Sequence, residues 1–84
     1  MRLAAIDIGS NAARLLITEV VKDDRGNTSF NKLNLVRVPL RLGIDVFDTG
    51  IISKQRTGML LQTMKAYKHL LNAYEPQLLR WESR

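Results

Sequence analysis

The stretch Ala4–Ile17, AAIDIGSNAARLLI, decides how this chain is read. An apolar run ends in Asp7, passes through Gly9, Ser10 and Asn11, and then resumes. Leu3–Ile8 is short and nearly all apolar, as expected of a strand buried on both faces. Ala12–Val21 is a second strand, in which Leu15, Ile17 and Glu19 alternate with Leu16, Thr18 and Val20. The small residues between the two runs form a tight turn. A carboxylate thus sits at a strand-turn-strand junction near the start of the sequence.

Two chemistries fit this junction. Gly9 allows close approach of a ligand to the backbone. Ser10 and Asn11 add a hydroxyl, a side-chain amide and consecutive N–H groups, and tight turns of this kind form anion-binding concavities. A carboxylate beside a phosphate repels it unless a cation lies between them. The phosphate reading therefore requires a hydrated Mg²⁺ held by Asp7. The other chemistry is a plain hairpin turn, whose Asp and Asn satisfy local backbone groups. D-x-G-x-N is short and common in turns, so its spacing alone favours the plain turn.

Working outward, Lys22–Ser29 is a turn rich in Asp, Gly and Asn. Phe30–Leu42 reads as a third, long strand. Its apolar parity shifts twice, most clearly at Leu35–Val36, which suggests a bulge or burial on both faces. Pro39 cannot donate to a ladder and places this strand on an edge. Gly43–Ser53 reads as a loop. A helix over 53–74 follows, with Ser53 as N-cap and Pro76 as its stop. Leu60, Met64, Tyr67, Leu71 and Tyr74 form its apolar stripe, widened by Leu61, Ala66 and Leu70. Gly58 costs about 1 kcal/mol there without breaking the helix. His69 lies off the stripe and reads as solvated. The assembly is α+β: a three-stranded antiparallel sheet followed by one helix.

The totals narrow the function classes. The chain has 84 residues, 45% hydrophobic and 25% charged, which suits one small globular domain. It contains no cysteine, so disulfides and thiolate metal sites are excluded. The start does not read as a signal peptide, because Asp7 interrupts a short apolar run. No stretch nears the roughly 18 apolar residues of a membrane helix. A cytoplasmic protein with no membrane partner is expected. The net charge of +5 raises nucleic acid as a partner. However, the basic residues are scattered and the few aromatics are not interleaved with them, so nucleic acid is not the expected ligand.

Ala4–Ile17 closely resembles the first phosphate loop of the exopolyphosphatase and guanosine pentaphosphate phosphohydrolase family, the Ppx/GppA phosphatases. These belong to the actin, Hsp70 and sugar-kinase superfamily. The Ser-Asn pair after Asp-Ile-Gly favours this family over sugar kinases. Val38–Ser53, VPLRLGIDVFDTGIIS, resembles its Arg-Leu-Gly segment and its Gly-x-Ile-Ser entry to a helix, and MKAYKHLLNAY resembles that helix. The resemblance runs from Leu3 to about Tyr74. It implies part of a ribonuclease H-like, actin-type ATPase domain and a Mg²⁺-dependent hydrolase of polyphosphate or guanosine pentaphosphate. It also implies that Asp7 serves the metal and that Gly9, Ser10, Asn11 and Arg41 bind phosphate. Arg14 reads as a solvated strand residue that leans toward the site.

The sequence departs from the family after Tyr74. The family continues with a strand, a Thr-Ser-x-x-Arg segment, a catalytic glutamate and a second loop beginning Asp-x-Gly-Gly-Gly. The tail 77–84, QLLRWESR, matches none of these and suggests a truncated or frame-shifted partial N-terminal phosphatase domain. Glu19, Glu75 and Glu82 do not match the catalytic position. The chain alone is therefore expected to be inactive, with apolar area left uncovered, marginal stability, and self-association or a homodimer. Two other functions remain in play: a phosphate- or nucleotide-binding module without catalysis, and a small basic nucleic-acid-binding protein.

Overall fold

The computed structural model describes residues 1–83, and the side chains of all of these except Val46 and Phe47. The elements run β1 (Arg2–Ile8), β2 (Ala12–Lys22), β3 (Thr28–Pro39), α1 (Leu42–Thr49), α2 (Lys54–Tyr74) and β4 (Leu78–Ser83). The strands form one sheet in the order β3-β2-β1-β4. The β1-β2 and β2-β3 ladders are antiparallel, and β4 is parallel to β1.

The antiparallel unit β1-β2-β3 stands as the alternation predicts, but the sheet is mixed and has four strands. The extra strand is the tail read from sequence as divergent. Its six described residues pair in register from Leu3↔Leu78 to Ile8↔Ser83, and Arg84 lies outside the described residues. The pairing has local causes. Arg2 N–H donates to the Gln77 side chain at 2.6 Å, and Gln77 N–H donates back to the Arg2 carbonyl at 2.9 Å. The Arg2 guanidinium also holds the Tyr74 carbonyl at 2.9 Å. Together these deliver the chain to the free edge of β1.

β3 begins at Thr28 and ends at Pro39, three residues earlier than the sequence suggests, and it is an edge strand. The first parity shift is a bulge. Ile17 pairs with Asn34 and Thr18 with Lys32, which leaves Leu33 as the extra residue. The second shift, at Leu35–Val36, involves no irregularity. Val36 turns toward the core, and Leu35 remains 50% exposed on the other face.

Gly43–Ser53 is not simply a loop, because α1 occupies Leu42–Thr49. Its sequence is poor in helix formers, and tertiary partners hold it. Asp45 accepts the Ser53 N–H at 2.8 Å and the Arg56 Nε–H at 2.9 Å. The Thr49 hydroxyl donates to the Asp45 carbonyl at 2.9 Å. The chain enters α1 through Arg41, which takes a left-handed backbone with φ 55°.

α2 is capped by Ser53, whose Oγ accepts the Arg56 N–H at 3.2 Å. It ends at a left-handed Glu75, whose N–H returns to the Leu71 carbonyl at 2.8 Å. Its stripe Leu60, Met64, Tyr67, Leu71 and Tyr74 packs on Ala4, Ile6, Ala13, Leu15 and Ile17. Tyr67 is buried and donates its hydroxyl to the Val36 carbonyl at 3.2 Å. Leu61 and Ala66, expected to widen the stripe, face solvent instead. Each fully buried large side chain here contributes about 1.5–3 kcal/mol. The tip of the β2-β3 hairpin extends past this core, and residues 21–33 are all exposed. Its turn is tied by Asp23, whose carboxylate accepts the Arg25 and Asn27 N–H groups at 2.9 and 2.8 Å.

Candidate functional site

β1 is the inner strand that meets β4 in parallel and β2 in antiparallel sense, and Asp7 stands one residue before its C-terminal end. Alternation of side chains decides which face Asp7 takes. Ala4 and Ile6 are buried under α2, so Asp7 belongs to the opposite face. The hairpin then brings Arg14 beside it, because Asp7 and Arg14 are cross-strand partners and such partners share a face.

The connecting loop is closed by Gly9 N–H donating to the Ala12 carbonyl at 2.9 Å. Neither Ser10 nor Asn11 takes a positive φ, so this is not the primed turn usual for two-residue hairpin loops. It is held from outside instead. The Asn11 carbonyl accepts both the Leu40 and Arg41 N–H groups, each at 2.9 Å. The Ser10 carbonyl accepts the Gly43 N–H at 2.9 Å. Gly43 eases this approach, since a Cβ there would stand a tight 3.2 Å from the Ser10 Cβ. The loop is thus anchored through its carbonyls to the segment entering α1.

A second tier of contacts holds that segment. The Arg56 guanidinium donates to the Leu40 carbonyl at 3.0 Å and to Asp45 at 2.9 Å. The Asp45 carboxyl is held below the usual 3.8, chiefly by the Ser53 N–H and also by the Arg56 guanidinium, against an opposing effect of burial.

Asp7, Gly9, Ser10, Asn11, Ala12 and Arg14 together line an open concavity of about 190 Å³. The structure therefore brings together four of the five expected site residues: Asp7, Gly9, Ser10 and Asn11. Arg41 is joined to the same loop by its backbone, and its side chain is not among those lining the concavity. Arg14, read as solvated, is exposed and also lines the concavity. The sequence held the signal for it. A two-residue loop at Ser10–Asn11 makes positions 7 and 14 opposite one another. The Asp45–Arg56 anchor had no such signal, because its partners lie on two helices of unknown orientation.

The donor set is that of an anion site with one acidic ligand. Among the described residues, Asp7 is the single carboxylate lining the concavity, and no group of three His, Cys, Asp or Glu able to hold a metal occurs. One carboxylate suits Mg²⁺, which keeps several waters and is commonly held by one or two carboxylates together with substrate phosphates. No helix of the described residues is long and apolar enough to cross a membrane.

No protein-family profile matches the chain. It is 32% identical over 71 residues to a bifunctional 3-dehydroquinate synthase/phosphatase of Fusobacterium nucleatum, covering 84% of this chain and 11% of that protein. Among solved structures, it superposes on an Aquifex aeolicus Ppx/GppA phosphatase with a TM-score of 0.83 and 29% identity. That match covers 99% of this chain and 26% of the other. An exopolyphosphatase from Cytophaga hutchinsonii gives a TM-score of 0.79 and 25% identity, over 99% of this chain and 25% of its own. The fourth strand is inside the matched region, so the tail follows these proteins in fold. The chain spans about a quarter of the solved relatives.

Proposed function

We propose that this chain, which belongs to the Ppx/GppA phosphatase family and spans about a quarter of its solved members, carries the first phosphate loop of a Mg²⁺-dependent phosphoanhydride hydrolase. Its substrate is inorganic polyphosphate or guanosine pentaphosphate, and it acts in the cytoplasm as part of an N-terminal phosphatase domain. The observation that carries this reading is the concavity at the end of β1, with Asp7 on one wall and Arg14, Ser10 and Asn11 around it.

Each residue has a role set by its chemistry. Asp7 would hold a Mg²⁺, which would supply the charge that lets phosphate oxygens lie near a carboxylate. The Ser10 hydroxyl and the Asn11 side-chain amide donate to phosphate oxygens. Gly9 lets those oxygens approach the backbone. Arg14 offers a planar guanidinium suited to bidentate phosphate binding. Arg41 sets the loop through its backbone N–H, and its guanidinium is a further phosphate-binding group.

Hydrolysis also needs a base to orient water and donors around the departing phosphoryl group. Asp7 cannot hold the metal and serve as that base. The chain alone is therefore expected to bind without turnover. A phosphate-release assay on polyphosphate with Mg²⁺ should show no release above background. Sustained turnover would remove the claim of inactivity. Binding of tripolyphosphate that ignores Mg²⁺ would remove the assigned role of Asp7.

A further inference from the structure

Arg56 occupies a position that helix chemistry alone does not favour. With Ser53 as N-cap, it is the third residue of α2, where a capping box carries Glu or Gln. A cation there also opposes the helix dipole, and no acidic residue in the first turn offsets it. The side chain serves the segment entering α1 instead. One guanidinium N–H group donates to the Leu40 carbonyl at 3.0 Å, and the Nε–H donates to Asp45 at 2.9 Å. A planar guanidinium holds two acceptors at once in a fixed geometry.

The Leu40 carbonyl is one end of the peptide plane whose other end is the Arg41 N–H. That N–H donates to the Asn11 carbonyl at 2.9 Å. Arg56 and the loop thus grip one peptide plane from opposite sides. The plane leads into Arg41, whose left-handed φ of 55° persists where its surroundings hold it. Beyond it, the Gly43 N–H donates to the Ser10 carbonyl at 2.9 Å. The Ser10 and Asn11 carbonyls therefore both point at segment 40–43. The peptides of the described residues are trans, and in a trans peptide N–H and C=O point in opposite directions. The Asn11 and Ala12 N–H groups accordingly point away from that segment. The concavity lies on their side: Ser10, Asn11 and Ala12 line it, and none of the described residues 40–43 does.

We propose that Arg56 is the positioning residue of this loop. Its two-point grip on Leu40 and Asp45 fixes the Leu40–Arg41 peptide and so aims the Asn11 and Ala12 N–H groups into the concavity. The role rests on the reading of that concavity as a phosphate site. Arg56 itself touches no phosphate and acts through the backbone.

Arg56→Ala tests this, with Lys54→Ala as the control. Lys54 is an exposed residue of the same turn, and its loss removes the same charge. In the 84-residue chain with Mg²⁺, Arg56→Ala should weaken tripolyphosphate binding roughly tenfold or more, as the loss of an outer contact commonly does at ion sites. Lys54→Ala should leave it nearly unchanged at physiological salt, where exposed charges are screened. Without ligand, Arg56→Ala should move the Asn11 and Ala12 amide resonances and leave those of the Asp23–Asn27 turn in place. Loop amides that stay in place overturn the proposal, and so does unaltered binding once they have moved. Equal weakening by Lys54→Ala assigns the effect to charge and overturns it too. Should Arg56→Ala not fold, Arg56→Lys decides, because an ammonium keeps the charge without the planar fork. Moved loop amides are expected there as well, and unchanged ones overturn the two-point grip. Should the original chain fail to bind tripolyphosphate, the phosphate reading falls, while the loop amides of the ligand-free chain still judge Arg56.

Discussion

The two faces of the sheet are built from the same three long strands and have opposite fates. Under α2, Ile6, Leu15, Ile17 and Tyr67 are at most 1% exposed. On the other face, residues one step along the same strands are Asp7, Arg14 and Leu16, and the apolar ones among them are only partly covered. A single-residue step along a strand thus separates core from site. Burial on one face fixes the register of β1 and β2, because slipping by one residue would exchange the faces. The fixed register then places Asp7 opposite Arg14 without any contact of their own being needed to hold the fold.

This contrast can be broken most directly by truncating neighbours on opposite faces. Leu15→Ala should cost about 2–5 kcal/mol of stability in urea unfolding, because it opens a cavity under α2. Leu16→Ala, one residue away, should cost less than about 1 kcal/mol, since its side chain is already partly in water. Equal losses would mean that Leu16 is as well covered in solution as Leu15.

A smaller effect is expected at the loop anchor. Arg41 takes a left-handed backbone that a residue with a Cβ adopts at a cost. Arg41→Gly relieves this and should stabilise the fold by a few tenths to about 1 kcal/mol, less the entropy gained by the unfolded chain. Because Arg41 serves the loop by its backbone N–H, this variant should also keep the Ser10 and Asn11 amide resonances close to their original positions. Large shifts there would show that the side chain itself shapes the loop.

The anchor beneath α1 should titrate. The Asp45 carboxyl lies below its usual 3.8 in the folded state, chiefly through the Ser53 N–H. A lowered folded value means that this stabilisation is complete above 3.8 and is lost as pH falls through the folded value. Asp23 in the hairpin turn is lowered in the same way, chiefly by the Asn27 N–H. The two contributions are separated with Asp45→Asn. That variant should unfold with a shallower acid dependence than the original chain below about pH 4. An unchanged acid profile would assign the whole effect to the turn.

Much of this contrast was legible in sequence, for identifiable reasons. The α2 stripe and the Leu15/Ile17 alternation are periodic signals, and both faces follow from them. Ser53 and Pro76 mark α2 because capping and stopping are local chemistry. α1 was not legible, since Gly43 and Asp45 make a weak helix that Ser10, Ser53 and Arg56 hold from outside. β4 was missed because six residues with no core position pair through Arg2 and Gln77, contacts about 75 residues apart in the chain. In the site, the Asp-x-Gly-Ser-Asn spacing pointed to the loop; Arg14 was read as solvated, although hairpin symmetry about Ser10–Asn11 sets it opposite Asp7. The carbonyl bridge to Leu40, Arg41 and Gly43 needed the fold.

The central claim is that the charged end of the open face holds a metal-bridged phosphate through Asp7. Calorimetric titration of the chain with tripolyphosphate, with and without Mg²⁺, tests it most directly when repeated on Asp7→Ala. Binding that requires Mg²⁺ in the original chain and is lost in Asp7→Ala, with the fold intact by circular dichroism, is the predicted result. Binding that persists in Asp7→Ala with the same dependence on Mg²⁺ would contradict the account and place the anion elsewhere on this basic chain.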